Sequence, residues 1–598
     1  MEEQTCYGVP ASSVQCAKLL SLLGVGILGD HEKWKFVGQC VYNILGASGR
    51  SLFERYTPQK FQAELENFWS DLQKTKHGLA ALKVMAKRAN RSGLDLWMRE
   101  VVHDAAAGSL VAYAGMTEIA DLARFLFGHE FVCSDAKAQE WWHFNGIIWE
   151  KLSAGHSMKQ KFSRELSPIY LQLLIELEGV RDSEGINPLI KRCTEITRGL
   201  KEPGFKSVLM QECGETFFIK DFYSNCDEDH YLLGLPNGVY DFHKMILRDA
   251  YPEDMITLQM GVPLDEGLSW EHPDVKYVMD FFRKVLYKPD LIDFCLKHTA
   301  TCLMGGNTDK LFVMNIGPTA HNGKTTRAAL DRFTFGKYSG KLPLGVLVGK
   351  TPDSTTADPA LAGTKGTRLQ QLDESNKLQE FNASFLKNNT GNDEIWCRPL
   401  YSNGFHMIPQ FTLVLYGNEP PGSTSSGGDA GMNERTVWVP HDSRFTMDAP
   451  DDEAEQWKTR TFKADPHIKI ELHKRAHAYL WLLFEYLKRY KAEGLKKPDE
   501  VLEKTRLYQY KNDIRKQFVD TFVEVTNRHA DYVGSSDLFS SYRVWYGECF
   551  PDRKGKMGSR EDFEGDLLRI LKISPIGGEK RYHGIKLKTE VRVFDRSK

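Results

Sequence analysis

The sequence predicts a mixed α/β protein that begins with a helical region and ends with a small basic module. Apolar residues recur at helical spacing within residues 1–105. In the middle of the chain, the apolar runs 311–316 and 411–416 are short and end in small or polar residues, which is typical of buried strands. From Lys504 to Lys598 there are 20 lysines and arginines against 14 aspartates and glutamates, a net charge of +6. These observations predict a central α/β core between two regions of different character.

Length and composition indicate a large globular protein. A chain of 598 residues is long enough for about three to five domains. The 11 cysteines show no zinc-ligand spacing, which favours free thiols in a reducing compartment. The first residues lack the basic start of a signal peptide, and the apolar run 19–28 is too short to cross a bilayer. We therefore expect a soluble, intracellular protein without a membrane partner.

Changes in pattern along the chain predict five regions. Asn-Gly pairs at 145–146 and 237–238 indicate two hairpins in the second region. Amphipathic segments at 536–550 and 560–571 precede a basic, Gly-containing segment at 576–587, and the order helix, helix and hairpin is typical of a winged helix. The predicted regions are a helical region at 1–105, an α+β domain at 106–265, an α/β domain at 266–465, a helical lid or linker at 466–510 (with a helix at 466–495) and a winged-helix domain at 511–598.

The segment 311–326 predicts a phosphate-binding loop. An apolar strand is followed by Gly317 and Pro318, then by Asn322-Gly323-Lys324-Thr325-Thr326, and a helix is expected from Arg327. Backbone N–H groups at a helix N-terminus favour an anion. Lys324 would reach the β- and γ-phosphates of ATP, and the Thr325 hydroxyl would ligate Mg²⁺. The predicted nucleotide-binding residues are Asn322, Gly323, Lys324, Thr325 and Thr326.

The spacing of this loop leaves an alternative open. Five residues separate Gly317 from Gly323, whereas the usual pattern has four. The segment could instead be a Gly-rich turn between a core strand and a helix. Motifs further along the chain are needed to distinguish a phosphate-binding loop from a simple turn.

Two later strand ends carry candidate catalytic residues. Asp373 and Glu374 follow the segment 368–372; Asp373 would hold Mg²⁺, and Glu374 would polarise the attacking water. Asn418 follows the second apolar run and could orient that water or contact the γ-phosphate. A surface acidic pair and a turn-forming asparagine are the alternatives.

Basic residues between and after these strands are candidates for nucleic acid and for catalysis. Lys387, Arg398 and His406 lie on or beside a predicted hairpin with its tip at Asn403-Gly404, where they could contact a nucleic-acid backbone. An exposed basic hairpin without a ligand is the alternative. Arg435 could reach the γ-phosphate in a neighbouring subunit, with Arg444 as a second candidate. Either arginine could instead form a structural ion pair.

Taken in order, these motifs resemble superfamily 3 helicases, and in particular the poxvirus-type primase-helicase ATPases of phages, plasmids and large DNA viruses. Residues 30–105 also resemble the helical tail that follows primase modules. The residues that carry the resemblance are Asn322-Gly323-Lys324-Thr325, Asp373-Glu374, Lys387 with Thr390-Gly391-Asn392-Asp393 and Arg398, Asn418 with Pro420-Pro421, and Arg435.

The resemblance implies an AAA+ ATPase core that assembles as a homo-hexameric ring, uses ATP and Mg²⁺, and moves along single-stranded DNA to open a forked duplex in DNA replication. Lys324, Thr325, Asp373, Glu374 and Asn418 would act within one subunit and Arg435 between subunits. At the winged helix, Lys580 and Arg581 would contact phosphates. The source would be a virus, phage or plasmid.

Primase chemistry is not visible ahead of residue 105, so a primase module would be separate, lost or removed, and a separate primase or other replication proteins are expected partners. Two alternatives remain open. One is an AAA+ initiator or packaging ATPase. The other is a nucleic-acid-binding protein with a degenerate ATPase, which the extra loop residue favours.

Overall fold

The computed structural model describes residues 11–111, 115–153, 155–347, 358–372, 380–398, 404–423, 430–551, 557–577 and 580–588. The chain divides into two compact units, residues 1–263 and 264–598.

The first unit begins with helices and continues as a mixture of helices and short antiparallel strands. Its helices are α1 (Ser12–Leu28), α2 (His31–Leu45), α3 (Arg50–Tyr56), α4 (Gln62–Ser70), α5 (Leu79–Ala89), α6 (Arg91–Val111), α7 (Met116–Phe127), α8 (His156–Lys161), α9 (Ser167–Gly179), α10 (Ile186–Gly199), α11 (Pro203–Thr216) and α12 (Phe222–Asn225). Its strands are β1 (Phe131–Asp135), β2 (Glu140–Phe144), β3 (Trp149–Leu152), β4 (Leu232–Leu235), β5 (Gly238–Asp241) and β6 (Ile246–Arg248).

Local sequence explains how these elements begin and turn. The side chain of Asp30 accepts a hydrogen bond from the Lys33 N–H and so caps the start of α2. Strands β2 and β3 pair from Phe144 opposite Trp149, and β4 and β5 pair from Leu235 opposite Gly238. Both hairpins predicted from Asn-Gly pairs are therefore confirmed. One continuous apolar core joins the helices to these strands.

The second unit contains the remaining elements. Its helices are α13 (Pro273–Leu286), α14 (Pro289–Thr301), α15 (Lys324–Phe335), α16 (Pro359–Ala362), α17 (Ala383–Thr390), α18 (Ala430–Arg435), α19 (Glu453–Thr459), α20 (Ile468–Lys474), α21 (Ala476–Glu493), α22 (Asp499–Asn512), α23 (Ile514–Phe522), α24 (Ser535–Cys549) and α25 (Arg560–Leu571). Its strands are β7 (Phe312–Ile316), β8 (Ser339–Leu342), β9 (Leu369–Leu372), β10 (Glu380–Phe381), β11 (Ile395–Cys397), β12 (Phe405–Met407), β13 (Thr412–Gly417), β14 (Gly422–Ser423), β15 (Thr436–Pro440), β16 (Arg444–Thr446), β17 (Thr461–Lys463), β18 (Val523–Val525), β19 (Tyr532–Gly534), β20 (Arg581–His583) and β21 (Ile585–Leu587).

A five-stranded parallel sheet forms the centre of this unit. The strand order is β15-β7-β13-β9-β8, and each neighbouring pair is parallel. All residues of β7 and β9 are buried, as expected for strands inside a parallel sheet. The prediction of a mixed α/β protein is confirmed. Because the strands are parallel, their carboxyl ends meet at one edge, which is where ligands bind in open α/β sheets.

The prediction of one helix over residues 466–495 is wrong in one respect, because this segment forms two helices. Helix α20 ends at Lys474, and α21 begins at Ala476. Between them lies Arg475, whose Nε is 3.0 Å from Asp274 Oδ1 and whose guanidinium also forms an ion pair with Glu471. Helix α21 is largely buried on all sides, so packing rather than a single amphipathic stripe decides its position.

The C-terminal region contains the two predicted helices but a different strand pairing. Helices α24 and α25 cover the two amphipathic segments. Strand β20 pairs with β19 and β21 pairs with β18, whereas the prediction paired the two arms of the segment 576–587 with each other. One bridge, from Ile576 to Arg581, remains of that hairpin. The strands β18 and β19 were missed because each is only three residues long.

Two further expectations concern the described part of the chain. Its cysteines are free, and all except Cys549 are buried. Across the described residues, none of the helices combines the length and the apolar character needed to cross a membrane.

Candidate functional site

The loop between β7 and α15 is closed around Gly317. The Gly317 N–H donates to the Gly417 carbonyl at 3.2 Å, which joins the loop to the end of β13. A Cβ at Gly317 would lie 2.2 Å from Asn322 Nδ2, 2.6 Å from the His441 carbonyl oxygen and 3.0 Å from Lys324 Nζ. Only glycine fits this position, although it is the glycine that the irregular spacing made questionable.

The extra residue of the loop is accommodated beside His321. His321 has φ of 60°, in the left-handed region, and its side chain is exposed. Its carbonyl accepts a hydrogen bond of 2.7 Å from the N–H of Phe445 in β16. Gly323 follows with φ of 81° and leads directly into α15. The longer loop thus bends outward at His321 and still delivers Lys324 to the first turn of the helix.

Lys324 is buried inside this loop, with 6% of its surface exposed. Its Nζ donates to the Gly317 carbonyl at 2.8 Å and to Asn418 Oδ1 at 3.2 Å. Thr325 is exposed in the same first turn, where the positive end of the helix dipole favours an anion. The structure therefore brings the predicted cation and amide into contact, with Thr325 next to Lys324 in the same turn.

Asn322 and Thr326 also lie at this point. Asn322 is buried, and its Nδ2 donates to the Thr319 carbonyl at 2.7 Å, which holds the loop closed. Thr326 is half-buried and lines an adjacent cavity. Asn322 therefore shapes the loop from inside, whereas Thr326 faces the space beside it.

The acidic pair predicted for this edge lies outside the described residues. Asp373 and Glu374 follow β9, which ends at Leu372. Leu372 is paired with Leu415 of β13, so β9 ends at the same edge of the sheet as the loop and Asn418. The roles given to Asp373 and Glu374 stay predictions.

A buried polar network lies beneath the loop, and sequence reasoning missed it. The Arg327 guanidinium donates to Asn315 Oδ1 at 3.0 Å and to Thr299 Oγ1 at 3.4 Å. The His441 ring nitrogen Nε2 donates to the same Asn315 oxygen at 3.0 Å. One strand residue thus joins the helix after the loop to the end of β15.

Acidic and aromatic groups extend this network along α15. Asp331 accepts hydrogen bonds from the hydroxyls of Tyr416 and Tyr479, at 2.9 and 2.7 Å. Burial raises the pKa of Asp331, while the nearby Arg327 cation opposes that shift. Burial, reinforced by Arg327 and Lys324, holds the pKa of His441 well below its usual range, so the ring is neutral. The sequence carried one indication of this network. Arg327 and Asp331 are oppositely charged residues four positions apart, and the rest of their helix is mostly buried.

A cavity of about 410 Å³ opens beside the loop. Its size suits a small-molecule site. Aromatic and aliphatic side chains line it together with a few charged ones. The lining residues are Tyr277, Asp280, Phe281, Lys284, His321, Gly323, Thr326, Phe445, Lys463, Ala464, Asp465 and Ile468.

The two candidate arginines occupy different environments. The Arg435 guanidinium donates to the Lys387 carbonyl and, at 3.0 Å, to Thr390 Oγ1, so it joins α18 to α17 within the same chain. Arg444 is exposed at the start of β16, immediately before the residue whose N–H contacts His321. Both acceptors of Arg435 are neutral groups, and its role between subunits stays a prediction.

The basic hairpin is present as the antiparallel pair of β11 and β12. Trp396 lies opposite His406; the two rings are 4.8 Å apart, and both side chains are exposed. His406 Nδ1 lies 3.5 Å from Glu394 Oε2. Residues 399–403, including Asn403 of the predicted tip, lie outside the described residues.

Lys387 and Arg398 flank this hairpin. Lys387 is half-buried near the end of α17, and Arg398 is exposed directly after β11. Their proposed contacts with nucleic acid stay predictions.

Lys580 and Arg581 lie at the start of β20. Lys580 Nζ is 2.5 Å from Glu564 Oε2, although about half of the lysine side chain is exposed. Arg581 is exposed and lies over the ring of Tyr532.

Comparisons with known proteins extend this description. Residues 120–286 match the family described as D5 N terminal like. The "Putative helicase L207/L206" of Acanthamoeba polyphaga mimivirus is 27% identical over 90% of this chain, and "Putative primase C962R" of African swine fever virus (isolate Warthog/Namibia/Wart80/1980) is 22% identical over 67% of it. The chain spans 57% and 45% of the lengths of these two proteins.

Among solved structures, the NrS-1 C terminal region matches 51% of this chain and 64% of its own length, at 12% identity and a TM-score of 0.30. A likeness of this size adds nothing to the fold described above.

Proposed function

This chain is related to the D5-like superfamily 3 primase-helicases of large DNA viruses, and from this premise we propose that it is an ATP-dependent DNA helicase with an AAA+ core. The observation that carries the proposal is the contact of Lys324 with Asn418 beside Gly317, at the carboxyl edge of a parallel sheet. A cation, an amide and a helix N-terminus at one point are what recognition of a terminal phosphate needs.

The loop supports a defined way of holding ATP. The phosphates would lie against the N-terminus of α15, and Lys324 would exchange the Gly317 carbonyl for phosphate oxygens. The base and ribose would occupy the cavity of about 410 Å³, whose lining includes Phe281 and Phe445. The loop and the cavity share His321, Gly323 and Thr326, so one nucleotide could reach both.

The residues at the sheet edge suit a divalent cation. Thr325 offers an exposed hydroxyl beside Lys324, and a hard oxygen ligand is what Mg²⁺ prefers. Thr325 and Asp373 would hold Mg²⁺, which would neutralise phosphate charge when bound. Glu374 would accept the proton of the attacking water, and Asn418 would orient that water.

We extend the proposal to a homo-hexameric ring with ATP between subunits. In such a ring, the exposed Arg444 is better placed than Arg435 to reach another subunit, because Arg435 is already bound to α17. The β11–β12 hairpin, with the exposed Trp396 and His406, would contact a single DNA strand in the channel.

Two measurements test this function. The first is ATP hydrolysis by the full chain with and without single-stranded DNA, comparing Lys324→Ala with Lys458→Ala, an exposed lysine on α19. We expect the first variant to lose hydrolysis by at least a hundredfold, since one preorganised charge contributes about 3–4 kcal/mol to a transition state. The control should keep it. Near-normal hydrolysis by Lys324→Ala would exclude the site.

The second measurement is strand displacement on a forked duplex. A helicase separates the strands only with ATP. ATP hydrolysis without displacement would instead favour an initiator or packaging ATPase, and DNA binding without hydrolysis would favour a degenerate ATPase.

A further inference from the structure

We propose that one face of the β19–β20 pair is a stacking surface for the unpaired bases of a single nucleic-acid strand. We call Tyr532, Arg581 and His583, together with His529, the stacking face. The inference rests on the proposed function in one respect, namely that the chain acts on nucleic acid. It adds a second contact for the nucleic-acid strand, separate from the β11–β12 hairpin, and identifies base stacking as the chemistry of that contact.

Strand register separates this face from the core. Tyr532 lies opposite His583 and Gly534 opposite Arg581, whereas Val533 lies opposite Tyr582 between them. Since neighbouring residues of a strand point to opposite sides, Tyr532, His583 and Arg581 share one side. The other side carries Tyr582, which is fully buried in the C-terminal core. Tyr532 is 50% exposed, so a large aromatic ring is presented outward.

Two rings of this face are already stacked, and a third lies tilted beside them. The rings of His529 and His583 are 4.3 Å apart with an interplanar angle of 22°, and Tyr532 lies 5.4 Å from His583. His583 Nδ1 donates to the His529 carbonyl at 2.8 Å, which fixes the orientation of its ring. A surface ordered before binding loses less side-chain entropy when a ligand arrives.

The chemistry of the stacking face fits a nucleic-acid strand. The Arg581 guanidinium lies 4.9 Å from the centre of the Tyr532 ring, so a cation borders the aromatic surface. Arg528 is exposed directly beside His529. The nearby Asp531 is paired with Lys586 at 3.0 Å, which offsets its repulsion of phosphate. Aromatic rings with cations at their edge bind single strands, because every base has a stacking surface and every nucleotide a negative charge.

The occupant must have unpaired bases. In a duplex, the base surfaces are covered by their neighbours in the stack, so the Tyr532 ring could reach only sugar and phosphate. A protein partner would need pockets for its side chains, whereas the described part of this face presents aromatic rings bordered by a cation. We therefore assign single-stranded DNA or RNA as the ligand.

The test is binding of labelled oligothymidylate and oligouridylate to the full chain, followed by fluorescence anisotropy. We expect Tyr532→Ala to weaken binding by about tenfold, as removal of one stacking aromatic does elsewhere. Tyr532→Phe should bind as the wild-type chain does, because it keeps the ring. Tyr510→Ala is the matched control, since Tyr510 is a 38% exposed tyrosine on α22 away from this face.

A strand with abasic sites separates base stacking from phosphate contact. The wild-type chain should bind the abasic strand more weakly than the intact strand, and this difference should be smaller in Tyr532→Ala. Equal weakening of both strands by Tyr532→Ala, equal competition by a blunt duplex, or absence of binding by the wild-type chain would each overturn the proposal.

Failure of the stacking face is distinguishable from failure of the proposed function. ATP hydrolysis without DNA should be unchanged in Tyr532→Ala, because the residue does not contact the phosphate loop. Normal hydrolysis by Lys324→Ala together with weak binding by Tyr532→Ala would refute the helicase proposal and support the stacking face.

Discussion

The predicted phosphate loop and the surfaces proposed for nucleic acid are built in opposite ways. Around the loop, Lys324, Arg327 and His441 are buried and hydrogen-bonded to strand ends. On the nucleic-acid side, Trp396 and Tyr532 are 43% and 50% exposed. One region is a set of interlocked polar groups inside a core, and the other is a set of rings and cations on short strand pairs.

This difference predicts how severely substitutions in each region affect the protein. A buried hydrogen-bonding group that loses its partner destabilises the protein by its full desolvation free energy. Substitutions near the loop should therefore have severe effects. An exposed ring or cation loses only its own contact with a ligand, so changes there should be graded.

Arg327→Ala should be the most damaging change. It leaves Asn315 and Thr299 without the Arg327 donor and leaves buried Asp331 without its neighbouring cation. Loss of one member of such a buried charged group costs about 3–5 kcal/mol. Chemical unfolding and hydrogen exchange in β7 and α15 would measure it. Arg506→Ala, an exposed arginine on α22, is the control. Equal stability of the two variants would show that the network is not structural.

Gly317→Ala should impair nucleotide binding more than folding. The added methyl group would collide with the His441 carbonyl and with Asn322, so the loop must shift away from Lys324. We expect affinity for a fluorescent ATP analogue to fall at least tenfold, about 1.4 kcal/mol or more. Gly345→Ala is the matched control, because a Cβ there meets no atom within 4 Å. Wild-type affinity in Gly317→Ala would mean that the loop closes differently in solution.

Acidification should destabilise the second unit through its buried histidines. Burial holds the pKa of His441 well below its usual range and lowers that of His298 to about 3. Below pH ~6.5 the unfolded chain binds protons that the folded chain does not, so stability falls as pH falls, by about 1.4 kcal/mol per pH unit for each histidine. Urea unfolding between pH 7 and pH 5 would measure the slope.

Substitution isolates the contribution of one ring to this slope. His441→Asn should make the stability less dependent on pH over the same interval, whereas His467→Asn, at an exposed position, should leave the slope unchanged. The same slope in His441→Asn and in the wild-type chain would show that the ring titrates in the folded state.

Lys387→Ala should have the smallest effect. Its carbonyl, which Arg435 contacts, is kept in the variant. We expect DNA-stimulated ATP turnover and affinity for single-stranded DNA to fall a few-fold, with nucleotide binding unchanged, because one solvent-accessible cation contributes about 1 kcal/mol or less. Lys458→Ala again serves as control. Unchanged DNA affinity would remove Lys387 from the nucleic-acid surface.

Some of the site could be predicted because its signals are local. The strand before the loop, the Gly-Lys-Thr sequence and the strand ending in Asn418 depend on short-range patterns, and the structure brings Lys324 and Asn418 to 3.2 Å. The network of Asn315, Arg327 and His441 could not be predicted in the same way, because its members come from segments up to 126 residues apart. Their contact depends on strand order, which no local pattern specifies.

The C-terminal strands show the same limit on a smaller scale. The segment around Gly577 suggested a hairpin, yet its strands pair with β18 and β19, which precede α24. Three-residue strands carry too little periodicity to be recognised alone. The stacking face, which depends on this pairing, was therefore invisible in the sequence apart from Arg581.

The class of the core and the position of the loop before α15 could be read from the sequence alone, since both follow from residue types at fixed spacing. The folded chain was needed to show that Gly317 belongs to the loop and that Arg435 contacts α17. It was also needed to show that the longer loop is accommodated by the left-handed backbone conformation of His321. The physical reason is that each of these depends on close approach between segments distant in sequence. Steric exclusion and burial act through space, and their result appears only when the chain is folded.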